Sequence, residues 1–201
     1  MTAHIPTLSL SDVETPQFVS AIGEAYEHYG FVIIENHGIP QELIDRFLRQ
    51  FKTFFAWTES EKQRFHLKGG GGARGYTPFG IETAKGSAHF DLKEFWHIGR
   101  ELPEGHPYRH YMADNVWIDS IPGFRETCIE MFDMFDLTGR RLLTAIARVL
   151  KLAPDYFEDK VQLGNSVLRV IHYPPMPPNP AESIRAGAHE DINVITLLLG
   201  A

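Results

Sequence analysis

The sequence predicts an α+β fold, on three observations along its 201 residues. The first 35 residues have the patterns of a strand, a helix and a second strand, which indicates a small α/β unit. A helical pattern of nearly thirty residues begins near residue 122. Two apolar segments rich in β-branched residues follow this helix, and they predict strands.

Five segments have the patterns of helices. They are residues 16–29, 40–55, 59–62, 122–150 and 154–157. The second segment carries an aromatic stripe on one face, which is expected in the core. The fourth would be about 40 Å long at 1.5 Å per residue. Its length predicts a spine that joins two halves of the chain.

Extended segments separate and follow these helices. Strands are predicted at residues 5–10, 31–35, 93–98, 166–173 and 192–199, with an extended stretch at 184–188 before the last. The final run, Ile192 to Leu199, is apolar and β-branched, so it is expected to be a buried strand. Gly69 to Gly72 lacks the Gly-Lys-Ser/Thr ending of a phosphate loop and is predicted to be a mobile loop.

A histidine and a carboxylate stand at the entrance of the final predicted strand. His189 and Asp191 are two residues apart, and residues i and i+2 of a strand point to the same side. One further histidine would complete the two-His-one-carboxylate set of non-haem Fe(II) oxygenases. From these two residues alone, a metal site and a solvated pair at a strand end are equally open.

Other histidines with ligand-like spacing are not expected to bind metal. His89 and Asp91 repeat the His-x-Asp spacing, but polar residues flank them, which predicts a loop. His106 and His110 have helical ligand spacing, but Pro107 breaks a helix there, so a surface loop is expected.

Composition narrows the class of protein. The chain is 43% hydrophobic and 22% charged, which is typical of a globular protein. Its net charge of -7 argues against nucleic-acid binding. No signal peptide and no 18-residue apolar run is present, so neither secretion nor a membrane span is predicted. The single Cys128 fits a cytoplasmic location.

Taken together, these segments resemble the isopenicillin N synthase-like family of Fe(II) oxygenases, most of which use 2-oxoglutarate. The resemblance covers nearly the whole chain. Residues 30–40 are similar to the most recognisable N-terminal motif of the family, and residues 168–174 resemble the strand before its metal motif. Residues 189–196 are particularly close to the metal segment of isopenicillin N synthase.

The resemblance implies a double-stranded β-helix, or jelly-roll, oxygenase core, preceded by an α/β N-terminal region and the long spine helix. The implied domains are residues 1–120 for the N-terminal region, 121–160 for the spine helix and linker, and 161–201 for the start of the jelly roll. The jelly roll would be only partly present, so the chain is expected to be incomplete.

The resemblance also implies site residues. His189 and Asp191 match two of the three Fe(II) ligands; the second histidine and an Arg-x-Ser motif lie on later strands of the family. Tyr173 matches a tyrosine that contacts the co-substrate in some members and the substrate in isopenicillin N synthase, with packing on the barrel as its alternative role. Residues 74–76 resemble a segment that approaches the substrate, where Arg74 could pair with a carboxylate and Tyr76 could donate to it. Arg74 could equally be a solvated loop residue.

The implied function is a non-haem Fe(II) oxygenase that couples 2-oxoglutarate decarboxylation and O2 to hydroxylation or desaturation of a small molecule. A 2-oxoglutarate-independent oxidase of isopenicillin N synthase type is one alternative, since the Arg-x-Ser region that bears on 2-oxoglutarate use is absent. Ile171 is a further departure, because some 2-oxoglutarate users have Asn at this position. A non-catalytic binding module with an incomplete metal site is the other. The expected partner is a small-molecule substrate, with no nucleic acid and no membrane; the sequence does not indicate an oligomeric state.

Overall fold

A computed structural model describes residues 4–82, 90–176, 183–187, 191 and 193–199. The helices are α1 (Pro16–Tyr29), α2 (Gln41–Phe55), α3 (Glu59–Lys62), α4 (Phe124–Val149) and α5 (Glu158–Val161). The strands are β1 (Thr7–Ser9), β2 (Ile33–Glu35), β3 (Gly75–Thr77), β4 (Glu94–Gly99) and β5 (Val167–His172). In the described part of the chain, no helix is both long and apolar enough to span a membrane.

The chain divides into two compact units, which are described separately. The first contains Met1–Gln41 and Asp133–Gly164, and the second contains Glu42–Phe132 and Asn165–Ala201. Helix α4 therefore contributes its first nine residues to the second unit and the remainder to the first.

The first unit contains the small α/β motif that the sequence predicts. Strands β1 and β2 pair in parallel, with α1 between them in the chain. The Thr15 hydroxyl accepts a hydrogen bond from the Phe18 amide, 3.2 Å, and so caps the start of α1. Gly30 ends the helix with a φ of 68°, a conformation that glycine adopts without strain.

The second half of α4 packs closely on α1 within this unit. A Cβ atom on Gly23 would lie 3.0 Å from Val149 Cγ1, so the absence of a side chain at Gly23 permits this approach. Arg141 and Arg148 donate to the backbone carbonyls of Leu10, 3.0 Å, and Glu14, 3.2 Å. The predicted spine helix is confirmed to within two residues at its start and one at its end.

The second unit is built on an antiparallel sheet in the order β3-β4-β5. One face of this sheet packs on the aromatic stripe of α2. The Trp96 ring lies 4.9 Å from that of Phe54 and 6.2 Å from that of Phe51, and Phe51 also contacts Phe124 of α4. The aromatic stripe is therefore in the core, as its periodicity predicts.

The other face of the sheet, called here the polar face, carries the alternate residues of the three strands. They are Gly75 and Thr77 of β3, Phe95, His97 and Gly99 of β4, and Val167, Arg169 and Ile171 of β5. Arg169 covers the Phe95 ring with its guanidinium carbon 3.8 Å from the ring centroid, a cation–π contact.

Two predicted elements are wrong. Residues 154–157 form turns, and α5 begins at Glu158 instead. The strand predicted at 192–199 is absent from the described residues 193–199, where Val194 is 64% exposed and Leu198 86% exposed. An apolar run becomes a strand only when a neighbouring strand supplies hydrogen-bond partners and cover, and no described strand pairs with it. The stretch predicted as extended at 184–188 contains a bend at residues 185–186.

Candidate active site

The structure describes one of the two predicted metal ligands. His189 lies outside the described residues. Asp191 is exposed, and its Oδ2 atom accepts a hydrogen bond from the Thr196 hydroxyl, 2.5 Å. An exposed carboxylate and an imidazole are donor types that suit Fe(II). Among the described residues, no group of three or more His, Cys, Asp or Glu could hold a metal ion.

The segment that leads to His189 is attached to the start of β4. The Leu92 amide donates to the Ile184 carbonyl, 2.8 Å, and the Gly187 amide donates to Asp91 Oδ1, 3.2 Å. Asp91 is 4% exposed. His89, its partner in the second His-x-Asp pair, lies outside the described residues.

Asp91 belongs to a group of four charged residues, called here the Lys93 cluster. Its members are Glu82, Asp91, Lys93 and Arg169. Lys93 Nζ lies 2.8 Å from Asp91 Oδ2 and 3.1 Å from Glu82 Oε2, and Arg169 of β5 donates to the same oxygen of Glu82. Burial lowers the pKa of Lys93, but its hydrogen bonds to the two carboxylates outweigh burial and raise the pKa above its usual value. Lys93 therefore stays charged and joins the start of β4 to β5.

A second buried network, called here the Glu94 cluster, lies on the opposite face of β4. Its members are Lys62, Tyr76, Glu94 and His172. Glu94 Oε2 accepts from Lys62 Nζ, 2.6 Å, and from the Tyr76 hydroxyl, while Oε1 lies 2.8 Å from His172 Nδ1. Burial raises the pKa of Glu94, but these three hydrogen bonds lower it by more, so the group stays a carboxylate. His172 therefore donates through Nδ1.

Tyr173 directly follows the strand that this cluster holds. It is 38% exposed, and Ile171, two residues earlier on the polar face, is also 38% exposed. The ring of His172 stacks on Phe55 with 5.0 Å between centroids and 22° between planes. The end of β5 is therefore fixed from the core side, while Tyr173 presents a partly exposed side chain.

Arg74 and Tyr76 are both buried, at 2% and 0% exposure, so the alternative of a solvated Arg74 is wrong. The Arg74 guanidinium donates to the Ala73 carbonyl, 2.7 Å, and to Asn165 Oδ1, 3.0 Å, while its Nε is buried and has no hydrogen-bond partner among the described residues. It lies against Gly99, where a Cβ atom would be 2.0 Å from Arg74 Cζ. Burial, followed by the bond to Glu94, raises the pKa of Tyr76, so its phenol remains a donor.

Sequence reasoning missed several residues of the polar face. The ring of His97 lies with Nδ1 2.6 Å from the Gly72 carbonyl, and burial lowers its pKa to about 4. A neutral His97 therefore donates through Nδ1 and keeps an acceptor at Nε2. Thr77 is 3% exposed, and its hydroxyl has no partner in the described part of the chain. The alternating pattern of residues 93–98 predicts the strand, but it does not show which face would be polar.

His106 and His110 lie at the ends of a short 3-10 helix, Pro107–His110. The His106 ring accepts a hydrogen bond from the Tyr108 amide, 3.2 Å, and His110 is exposed. Their predicted position on a surface connection is confirmed.

Comparisons with known proteins agree with this architecture. Residues 5–120 match the model of the N-terminal region of the non-haem dioxygenases in morphine synthesis. A 2-oxoglutarate-Fe(II) type oxidoreductase of Emericella nidulans is 31% identical over 192 residues, which cover 91% of this chain and 55% of that protein. The chain thus spans little more than half the length of this relative.

Two solved structures share the fold over about three fifths of their own length. A 2OG-Fe(II) oxygenase family protein from Caulobacter crescentus superposes with a TM-score of 0.83 at 45% identity, covering 96% of this chain and 62% of that one. The Neurospora crassa protein T7H, in complex with alpha-KG, superposes with a TM-score of 0.74 at 25% identity, covering 93% and 61%. Because the family model covers more than half of the residues, and these relatives agree with it, the chain belongs to the 2-oxoglutarate/Fe(II)-dependent oxygenase family.

Proposed function

We propose that the whole protein is a non-haem Fe(II) oxygenase that uses 2-oxoglutarate and O2 to hydroxylate or desaturate a small molecule. Family membership carries this proposal, together with the His189-x-Asp191 pair. The proposed fold is a jelly roll that begins at residue 161, preceded by the N-terminal region at 1–120 and the spine helix and linker at 121–160. Strand β5, which lies within the proposed jelly roll, supports it, and β5 pairs with β4 of the N-terminal region.

His189 and Asp191 would hold the Fe(II), with a further histidine as the third ligand. When bound, the metal supplies a site at which O2 is activated next to the co-substrate. The exposure of Asp191 supports a ligand role, because its carboxylate is accessible and the Thr196 hydroxyl holds it in one orientation.

Tyr173 is proposed to contact the co-substrate with its phenol. The Glu94 cluster supports this role, because it fixes His172, the preceding residue, on the opposite side of the strand. Tyr173 would then be oriented by a buried network while remaining partly exposed itself.

Arg74 and Tyr76 remain candidates for substrate contact. The burial of Tyr76, and its bond to Glu94, support a role in holding β3 against β4. Arg74 Nε has no hydrogen-bond partner in the described part of the chain, which supports a contact with a substrate acceptor. Of the two, Arg74 is the better candidate, because it has no carboxylate partner among its described hydrogen bonds.

The test is 2-oxoglutarate-dependent O2 consumption by the full-length protein, with His189→Ala and Asp191→Ala. Loss of an outer-shell partner of a metal ligand costs about 10–100-fold, so loss of a ligand itself should cost both variants at least about 100-fold in rate. His110→Ala and Asp155→Ala change exposed residues of the same types outside the site and serve as matched controls.

Unchanged O2 consumption in both ligand variants would contradict the proposal. A rate that does not depend on 2-oxoglutarate would favour the oxidase of isopenicillin N synthase type, which the identity of Ile171 keeps as a second candidate. Absence of both metal binding and O2 consumption would favour a binding module.

A further inference from the structure

Residues 183–187 are held at two points by the beginning of β4. The Leu92 amide donates to the Ile184 carbonyl, 2.8 Å, and Asp91 Oδ1 accepts from the Gly187 amide, 3.2 Å. Ser183, at the start of the segment, is 7% exposed. The second attachment is the last described one before His189, which follows Gly187 by two residues.

The acceptor at the second point is a buried carboxylate. Asp91 is 4% exposed, and its other oxygen is 2.8 Å from the ammonium of Lys93, which is 6% exposed. A hydrogen bond from a backbone amide to a carboxylate is charge-assisted, so it is stronger than one to a neutral carbonyl at the same distance. Lys93 compensates the buried charge of Asp91 and also orients the carboxylate, so that Oδ1 faces the backbone of Gly187.

The Lys93 ammonium also connects the Gly187 attachment to β5, the strand directly before Tyr173. Lys93 binds Glu82, 3.1 Å, and Glu82 accepts from Arg169, four residues before Tyr173 on the same face of the chain. The segment before the His-x-Asp pair and the strand of the proposed co-substrate contact are thus tied to one buried cation.

We propose that Asp91 is a positioning residue for the metal site: through its bond to Gly187, and oriented by Lys93, it directs the approach of His189 and Asp191 to Fe(II). The inference rests on the proposed function, because it requires these two residues to be ligands. Asp91 is assigned a positioning role and not that of a ligand, because it is 4% exposed and each of its oxygens already accepts a hydrogen bond, from Lys93 or from Gly187.

A purely structural role for Asp91 predicts a different outcome. A buried ion pair that only stabilises the sheet would change the free energy of unfolding when it is broken, and leave the metal dissociation constant of the folded protein unchanged. Positioning predicts that metal affinity falls even under conditions in which the variant is fully folded.

The experiment measures Co(II) and anaerobic Fe(II) binding by the metal-free full-length protein, with Asp91→Ala and Asp91→Asn. Asp91→Ala removes both contacts and should weaken metal binding about 10-fold or more, as loss of a partner that orients ligands does. Asp91→Asn keeps an oxygen that can accept from Gly187 while losing the ion pair, so it should restore part of the affinity. If Asp91→Ala does not fold, Asp91→Asn provides the test of metal affinity in its place.

Glu94→Gln is the matched control. It removes the charge of another buried carboxylate on β4, three residues along, but Glu94 contacts Lys62, Tyr76 and His172 rather than the 183–187 segment. It should lower stability and leave the Co(II) dissociation constant within about 2-fold of wild type, with the folded fraction checked by circular dichroism.

Amide hydrogen exchange of residues 183–191 in the metal-free protein gives a readout independent of metal. Asp91→Ala should speed exchange there about 10-fold or more, because an attachment of the backbone is lost. Faster exchange with unchanged metal affinity would overturn the positioning role, and so would unchanged exchange in a folded Asp91→Ala variant. If the wild-type protein binds no metal, the proposed function fails. The attachment of residues 183–187 is still tested in that case, because slow amide exchange in wild type and faster exchange in Asp91→Ala do not require metal.

Discussion

The two faces of β4 carry buried polar groups of different kinds. On the core face, both oxygens of Glu94 are bonded, by Lys62, Tyr76 and His172, and aromatic rings from α2 pack around the cluster. On the polar face, the Thr77 hydroxyl and Arg169 Nε are buried and have no partner among the described residues, and on the core face the same holds for Trp96 Nε1.

Unpaired buried atoms occur on both faces, and each costs about 1–3 kcal/mol wherever it lies. The two faces differ in what they adjoin. The core face carries the Glu94 network, which joins the sheet to α3 through Lys62. The polar face is the one that continues toward Tyr173, the proposed co-substrate contact.

Glu94→Ala should give the largest loss of stability, because it removes the central carboxylate of the network on the core face. Among the described residues, the exposed Glu59, 3.7 Å away, would then be the one charged partner of the buried Lys62. Removing one member of a buried ion pair costs about 3–5 kcal/mol. Urea unfolding should show this loss, and Lys62→Met in the same variant should recover part of it. A loss below about 1 kcal/mol would show that the cluster contributes little.

Local sequence chemistry predicts some of these elements well. Helix α1 is predicted at its observed bounds because Pro16 at its start and Gly30 after its end are signals carried by neighbouring residues. The aromatic stripe of α2 likewise predicts a buried face from spacing alone.

Contacts between distant residues explain what sequence reasoning missed. Glu82 and Arg169 are 87 positions apart, and Glu94 and His172 are 78 apart, so neither cluster leaves a local pattern. The apolar run at 193–199 has the composition of a strand, but strand formation depends on partners that composition does not supply. The family motif predicts His189 and Asp191 as ligands, while the anchoring role inferred for Asp91 comes only from the fold.

Gly99→Ala should give the second-largest effect and tests the polar face. Its Cβ would lie 2.0 Å from the Arg74 guanidinium, so the buried side chain must move and lose its bond to Asn165. Overpacking of a core costs about 1–3 kcal/mol, and we expect a cost near the upper value here because the buried guanidinium must move. In an Arg74→Ala background the same change should cost much less, and the double-mutant cycle measures the coupling. Equal costs in both backgrounds would show that Arg74 does not fill the space over Gly99.

His97 should give the smallest of the three effects, as a pH dependence of stability. Burial lowers the pKa of His97 from 6.5 to about 4, which outweighs the opposing bond to Gly72, and nearby Arg169 lowers it further. Between these two values the unfolded chain binds the proton and the folded protein does not. Stability should therefore fall as the pH decreases from 7 toward 4, by roughly 2 kcal/mol at pH 5.

Urea unfolding at pH 7, 6 and 5 measures this slope. The pKa values of Glu82 and Glu94 are lowered by folding, so these carboxylates stabilise the folded protein above their unfolded pKa of about 4.5. Their stabilisation is lost only below that pH, outside the range of the measurement. His97→Gln should reduce the slope, and the same replacement at the exposed His110 should not. An identical slope in the His97 variant would mean that the ring takes up a proton in the folded state. The polar face would then carry an additional positive charge beside Arg169.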